Sequence, residues 1–232
     1  MAAIEIINYR SLLIVAERYP DVGAPAGEAH MLMVEYEGPE RFDQMAAVER
    51  ILRENGYALA EPPATVDGEA EQARLWKVRK ALLPAVRSYR KGLIAPSLVN
   101  DVGVDERHLA AFIRDVEGIF DRHGLAAAIY GHAGSGNLHL RPLFEADDPN
   151  LAARMQRVAD EVYEAVFRYE GTITGEHGMG RVRAPYLARE WGEHIIGYMR
   201  RVKDIFDPGG VLNPDVMFSD RPLTEDMKIS IK

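Results

Sequence analysis

The 232-residue chain contains no cysteine. That excludes disulfides and thiolate sites, and it fits a reducing compartment or a metal set made of nitrogen and oxygen. Basic charge is also scarce. Twenty-eight Lys and Arg against 36 Asp and Glu leave a net charge of −8, the wrong sign for a phosphate backbone, so nucleic acid is excluded as a partner. No run of 18 apolar residues occurs, so no segment reads as transmembrane. The expected location is cytoplasmic, with any peripheral membrane attachment arising through a larger protein or complex. Nucleotide loops are missing as well. Gly175-x-x-Gly178-x-Gly180 has the wrong order for a dinucleotide fingerprint, and Gly134-x-Gly136 leads into an apolar strand instead of a helix. There is no low-complexity segment and no internal repeat strong enough to assert.

What the chain does have is two glycine-rich segments, Gly131-His-Ala-Gly-Ser-Gly-Asn-Leu-His139 and Gly171-Thr-Ile-Thr-Gly-Glu-His-Gly-Met-Gly180, which hold three of the seven histidines and one acid. Soft backbone around imidazoles and a carboxylate lets ligands converge on one ion. Leu125 to Ala133 and Asn137 to Phe144 read as strands joined by turn residues. A two-residue Ser135-Gly136 loop would set His132 directly opposite His139, with Tyr130 and Arg141 on the same face. Glu176 would complete a His, His, Glu set, leaving His177 off the metal as acid or base. Three protein ligands with open positions is a catalytic pattern. Taken singly, each piece also reads as an ordinary polar loop.

Along the rest of the chain, Ile4 to Ile7, Ala29 to Glu37, Tyr57 to Ala60 and Leu93 to Val104 read as strands. Helices are expected over Arg41 to Asn55, about Glu69 to Val86, Asp105 to His123, about Asp148 to Tyr169, Arg183 to Glu190 and Glu193 to Ile205. Arg79 falls on one helix face with Leu75, Trp76 and Leu83, where it is either a buried salt-bridge partner or a substrate clamp. The expected fold is α+β, a mainly antiparallel sheet covered by helices on one face.

Three motifs then carry a resemblance: Tyr130-Gly-His-Ala-Gly-Ser-Gly-Asn-Leu-His-Leu-Arg-Pro142, Gly171-Thr-Ile-Thr-Gly-Glu-His-Gly178, and Lys203-Asp-Ile-Phe-Asp-Pro-Gly-Gly-Val-Leu-Asn-Pro214. In this order they resemble the C-terminal domain of FAD-linked oxidases of the vanillyl-alcohol oxidase type, in the branch of D-lactate, D-2-hydroxyglutarate and glycolate dehydrogenases. Leu32 to Gly38, Leu75-Trp-Lys-Val-Arg-Lys80 and Asn100-Asp-Val-Gly-Val104 extend the likeness over nearly the whole chain. The resemblance implies a domain over residues 1–214 with ferredoxin-like elements, followed by a polar tail or linker over 215–232. It implies His132, His139 and Glu176 as ligands of a divalent metal, zinc, manganese or iron. His177 matches the base, Arg79 the carboxylate-binding arginine, and Asn213 the segment approaching the flavin. Arg141 stands where some relatives place an asparagine, as a second substrate-binding group.

The chain also departs from that pattern. Ser135 replaces a frequent aspartate, which removes a carboxylate that could support the histidines. Asn100-Asp101 stands where relatives carry an acidic pair. No FAD-binding domain is present, and the tail from Phe218 is of a kind that leads to an iron-sulfur module in fused relatives, so both ends look cut. The expected activity is oxidation of a D-2-hydroxy acid to the 2-oxo acid, with hydride passing to FAD on a missing domain or partner subunit. The rivals are a non-catalytic subunit that binds a flavoprotein and a metal-dependent hydrolase.

Overall fold

A computed structural model describes residues 2–20, 27–225 and 227, so most of the end of the expected tail, residues 226 and 228–232, lies outside the described residues. Among the described residues, seven strands and six α-helices follow in this order: β1 (Ala3–Ile7), α1 (Tyr9–Arg18), β2 (Met31–Glu35), α2 (Arg41–Glu54), α3 (Glu69–Arg87), β3 (Leu93–Ile94), β4 (Val102–Gly103), α4 (Leu109–Arg122), β5 (Ala127–His132), β6 (Asn137–Pro142), β7 (Phe144–Glu145), α5 (Leu151–Arg168) and α6 (Leu187–Phe206). Five strands form one antiparallel sheet in the order β2-β1-β5-β6-β4, and β3 pairs with β7 separately. No helix among the described residues is long and apolar enough to cross a membrane.

Helices cover both faces of the sheet, not one as expected. Strand side chains alternate, so β5 sends Ala127 and Ile129 to one core and Ala128 and Tyr130 to another. The first core joins Leu138 and Leu140 of β6 to Phe112, Val116 and Phe120 of α4 and to Met155, Ala159, Val162 and Val166 of α5. Those α5 residues recur at helical spacing, and each large apolar side chain so buried contributes about 1.5–3 kcal/mol. The second core packs Ile7, Ala128 and Tyr130 under Leu12 and Val15 of α1 and Val78, Leu82 and Val86 of α3. The sequence reading passed over α1. Its start is fixed by Asn8, whose side chain accepts from Ser11 N at 3.0 Å.

Two expected strands change. Tyr57 to Ala60 is irregular and exposed, and Tyr57 N bonds back to the carbonyl of Leu52 in α2 at 3.1 Å instead of to a strand. Leu93 to Val104 is strand only at its ends, because the chain leaves β7 at Ile94 and joins β6 at Val102, through Pro96 and through Asp101 at φ 70. Gly192, at φ 75, kinks α6 between the two helices expected there.

The β5–β6 hairpin also differs from expectation, in its register. Its loop is four residues, a 3₁₀ turn over Ala133–Ser135 closed by Gly136 at φ 66. Gly136 is required there: a Cβ would lie 1.8 Å from the carbonyl oxygen of Val104, which runs over the turn. His132 therefore pairs with Asn137, Tyr130 with His139 and Ala128 with Arg141. The two extra loop residues shift the register by two, and a shift of two keeps every side chain on its original face.

Candidate active site

The face of the sheet toward α1 and α3 carries the chemistry. Register aligns Glu5, His132 and Asn137 in one row and Ile7, Tyr130 and His139 in the next, with Arg141 beyond them opposite Ala128. His132 and His139 are diagonal neighbours, their rings 5.5 Å apart and nearly perpendicular. The loop 171–180 lays Glu176 across them. Its carboxylate is 3.2 Å from His139 Nε2, 3.0 Å from His177 Nε2 and 3.6 Å from His132 Nε2. His177 stacks on His139, with ring centroids 5.4 Å apart and planes 7° from parallel.

Asp101 holds that loop. Fully buried, it accepts hydrogen bonds from Asn137 Nδ2, Glu176 N and His177 N, each at 2.9 Å, while its own carbonyl accepts from Gly175 N at 3.1 Å. Burial opposes the charge on Asp101, but the bonds from His177 N, Asn137 and Glu176 N outweigh it and hold the carboxyl below its usual range. Gly175 permits this approach, since a Cβ there would lie 1.9 Å from Asn137 Nδ2. Arg183 braces the same corner, donating to the carbonyl of Asn100 at 3.0 Å and standing 3.7 Å from Asp101.

Glu5 supports the other side. It binds Nδ1 of His132 and accepts from Arg79 Nε at 2.7 Å. Arg79 also lies over the Tyr130 ring, 4.8 Å from its centroid. Arg79 is thus in a salt bridge and next to the imidazoles at once, and the bond to Glu5 uses Nε only. Burial, reinforced by the charge of Arg79, pushes the His139 imidazole down to about 3, so it stays neutral and able to donate a lone pair. Burial also lowers the pKa of Arg141, whose Nε has no partner.

A divalent ion at about 2.1 Å from each ligand separates those ligands by roughly 3–3.5 Å. The Glu176 contacts have that spacing. Asp101, His139, Glu176 and His177 place candidate ligand atoms within 4.8 Å of one another. We exclude Asp101 as a ligand, because its oxygens are already taken by three donors that order the loop. His132 reaches the group through Glu176, and Glu5 on its Nδ1 leaves Nε2 as the free lone pair, the outer support typical of metal-bound histidine. The supporting carboxylate that Ser135 cannot supply thus comes from Glu5 on β1. Ser135 Oγ instead contacts the carbonyl of His132 at 3.3 Å.

The structure brings together His132, His139, Glu176, His177 and Arg79, with Arg141 at the inner end of the same face. Asn213 stands apart, exposed at φ 45 in the segment after α6 that Asp207 orders through Val211 N and Leu212 N. Sequence reasoning missed Glu5, Asn137 and the clamping role of Asp101. A lone acid inside the apolar run Ile4-Glu-Ile-Ile7 was the available signal for Glu5. A cavity of about 540 Å³ beside the hairpin turn is lined by Asp105, Glu170 and Glu190 with no Lys or Arg, which would repel a dinucleotide pyrophosphate.

Residues 1–217 match the family described as FAD linked oxidases, C-terminal domain. The chain is 28% identical over 220 residues to glycolate oxidase subunit GlcD of Bacillus subtilis (strain 168), covering 94% of this chain and 45% of that protein. It is 32% identical over 192 residues to the mitochondrial D-lactate dehydrogenase [cytochrome] of Arabidopsis thaliana, covering 81% and 32%. With D-2-hydroxyglutarate dehydrogenase of Pantoea ananatis (strain AJ13355) it shares 37% identity over 142 residues, 61% of this chain and 14% of that one. Among solved structures, 4-ethylphenol oxidase from Gulosibacter chungangensis has the same fold, with a TM-score of 0.60 at 17% identity over 95% of this chain and 48% of that chain. The chain thus spans less than half the length of these curated relatives.

Proposed function

Because the chain belongs to the family of FAD linked oxidases, through their C-terminal domain, we propose that it forms the substrate side of a flavin-dependent dehydrogenase acting on D-2-hydroxy acids. One observation carries this reading: Glu176 meets three imidazole Nε2 atoms, with Arg79 beside them. His132, His139 and Glu176 would hold a divalent metal, which when bound supplies positive charge for the substrate hydroxyl oxygen. FAD, carried mainly by residues outside this chain, supplies the hydride acceptor.

The chain's own side chains do the rest. The terminal nitrogens of Arg79 take the substrate carboxylate in a bidentate grip, and Glu5 keeps that guanidinium oriented. Fixing the carboxylate and the hydroxyl together leaves one carbon–hydrogen bond pointing away from the sheet. His177, on the exposed side of Glu176, accepts the hydroxyl proton at Nε2. For that, Nδ1 must carry the ring proton. Asn100 contacts Nδ1 at 3.2 Å while its own Oδ1 has no partner, so an amide turned over offers Oδ1 as acceptor and leaves Nε2 basic. Asn213 lies among exposed apolar residues, Phe206, Val211 and Leu212, and this surface suits a flavin-bearing domain or subunit.

The test loads the chain with zinc, manganese or iron and titrates it with D- and L-lactate, then adds a flavin-bearing partner. The chain alone should bind the D-acid without turnover, and the pair should reduce flavin, with loss of that activity in His177→Ala. Hydrolytic turnover by the metal-loaded chain, without binding of any 2-hydroxy acid, would overturn the reading. Flavin reduction unchanged in His177→Ala would instead favour a non-catalytic subunit.

A further inference from the structure

We propose that this site selects 2-hydroxy acids bearing a second carboxylate, with Arg141 receiving the distal carboxylate while Arg79 holds the one beside the hydroxyl. The proposal rests on the 2-hydroxy acid reading above and narrows it to a substrate class.

Arg141 is 7% exposed, and its Nε has no hydrogen-bond partner. Tyr130 is its diagonal neighbour across the hairpin, and the other charged groups bearing on it are cations, Arg87 and Arg183. Arg79 has Glu5 and Arg183 has Asp101, whereas Arg141 has no acid in an ion pair among the described residues. A buried guanidinium keeps its charge and is costly without an anion. The fold tolerates one here, on the face that carries the metal-type cluster.

Geometry makes that anion the far end of a substrate. Arg79 lies 4.8 Å from the Tyr130 ring, the His139 ring is 5.4 Å from it, and Arg141, paired with Ala128, is its diagonal neighbour on the same face. Three recognition groups thus surround one aromatic ring. His139 and Arg141 are successive same-face residues of β6, about 7 Å apart along the strand, which a short diacid can span. Exposure runs the same way. The side chains of His132, Glu176 and His177 are 39%, 42% and 48% exposed and form the mouth, while Arg141 lies at the closed end. A monoacid would press an alkyl end against the unpaired guanidinium, and a diacid pairs it. Sites built to pair a polar group discriminate strongly against analogues that lack it.

Calorimetric titration of the 232-residue chain, zinc-loaded and metal-free, tests this with D-2-hydroxyglutarate, D-malate, D-lactate and D-2-hydroxyvalerate, the last matching the glutarate skeleton without its distal acid. The diacids should bind at least about tenfold more tightly than the valerate, as for a charge-assisted pair. Arg141→Gln should bring that ratio close to one, and Arg141→Lys should keep part of it. A ratio near one in the unaltered protein, which needs no variant, would overturn the proposal, as would a ratio that survives Arg141→Gln. Monoacids binding as tightly as diacids would mean that both arginines share one carboxylate, removing this proposal alone. Failure of all four acids to bind, or binding indifferent to Arg79→Gln, would remove the 2-hydroxy acid reading and this proposal with it.

Discussion

Replacing Asp101 by alanine should loosen the segment that presents Glu176 and His177 while leaving both sheet cores in place. The Asp101 carboxylate receives three bonds of 2.9 Å, from Asn137 Nδ2, Glu176 N and His177 N. A hydrogen bond to a charged group is worth about 1.5–3 kcal/mol, but the two loop amides lie near solvent and regain water when released. The Asn137 amide, buried, keeps only its longer bond to the carbonyl of Val102, at 3.4 Å. Alanine also inherits the left-handed backbone at φ 70, a conformation that aspartate tolerates better. Together these amount to roughly 3–5 kcal/mol. Asp101→Asn keeps one acceptor oxygen but turns an NH₂ toward a donor, and should lose roughly half as much. Urea denaturation at neutral pH measures the loss, and hydrogen exchange at the Glu176 and His177 amides localises it. The folded carboxyl sits below its unfolded value, so its contribution is complete above pH about 3.9 and disappears as pH falls through the folded pKa. The gap between the native protein and the alanine variant should therefore close in acid. A loss under about 1 kcal/mol with unchanged exchange at both amides would refute the clamp.

His139 gives a second pH signature. Its folded pKa of about 3 is below the usual 6.5, so the unfolded chain takes the proton first, and stability of the metal-free protein should fall by up to roughly 4 kcal/mol between those limits; imidazole NMR should show His139 neutral at pH 5. Arg79→Met should cost roughly 3 kcal/mol by stranding the buried Glu5 carboxylate, and adding Glu5→Gln should restore part of it in denaturant titrations. Gly136→Ala should cost more than about 2 kcal/mol in the same assay, since the new Cβ would meet Val104 O at 1.8 Å in a left-handed turn. Elemental analysis of the His132→Ala, His139→Ala double variant should find metal lost, and equal metal in both proteins would reject these ligands.

Strand parity was the most legible part of the site. His132 and His139 share a face under the two-residue loop and under the four-residue loop alike, because adding two residues preserves a period of two. The neighbour relations were not legible. Which residue stands opposite His139 depends on the turn, and the turn depends on Val104, whose amide binds the carbonyl of Gly136. The interruption of Leu93 to Val104 was hidden for a similar reason. Its residues suit a strand, but its two ends pair with different partners, and Asp101 turns between them.

The sequence by itself determined the glycine-histidine segments, the alternation that turns them inward, the apolar stripes of most of the helices, and the absence of thiolate chemistry. These follow from local covalent geometry and side-chain period. Only the tertiary structure decided what supports each imidazole. Glu5 reaches His132 across 127 residues, Asn100 reaches His177 across 77, and Asp101 binds the amide of His177 across 76. Such contacts are set by how the strands and loops stack, which no local pattern encodes. That Arg141 Nε has no hydrogen-bond partner was decided there too, since it is a property of the packed face and not of the strand that carries it.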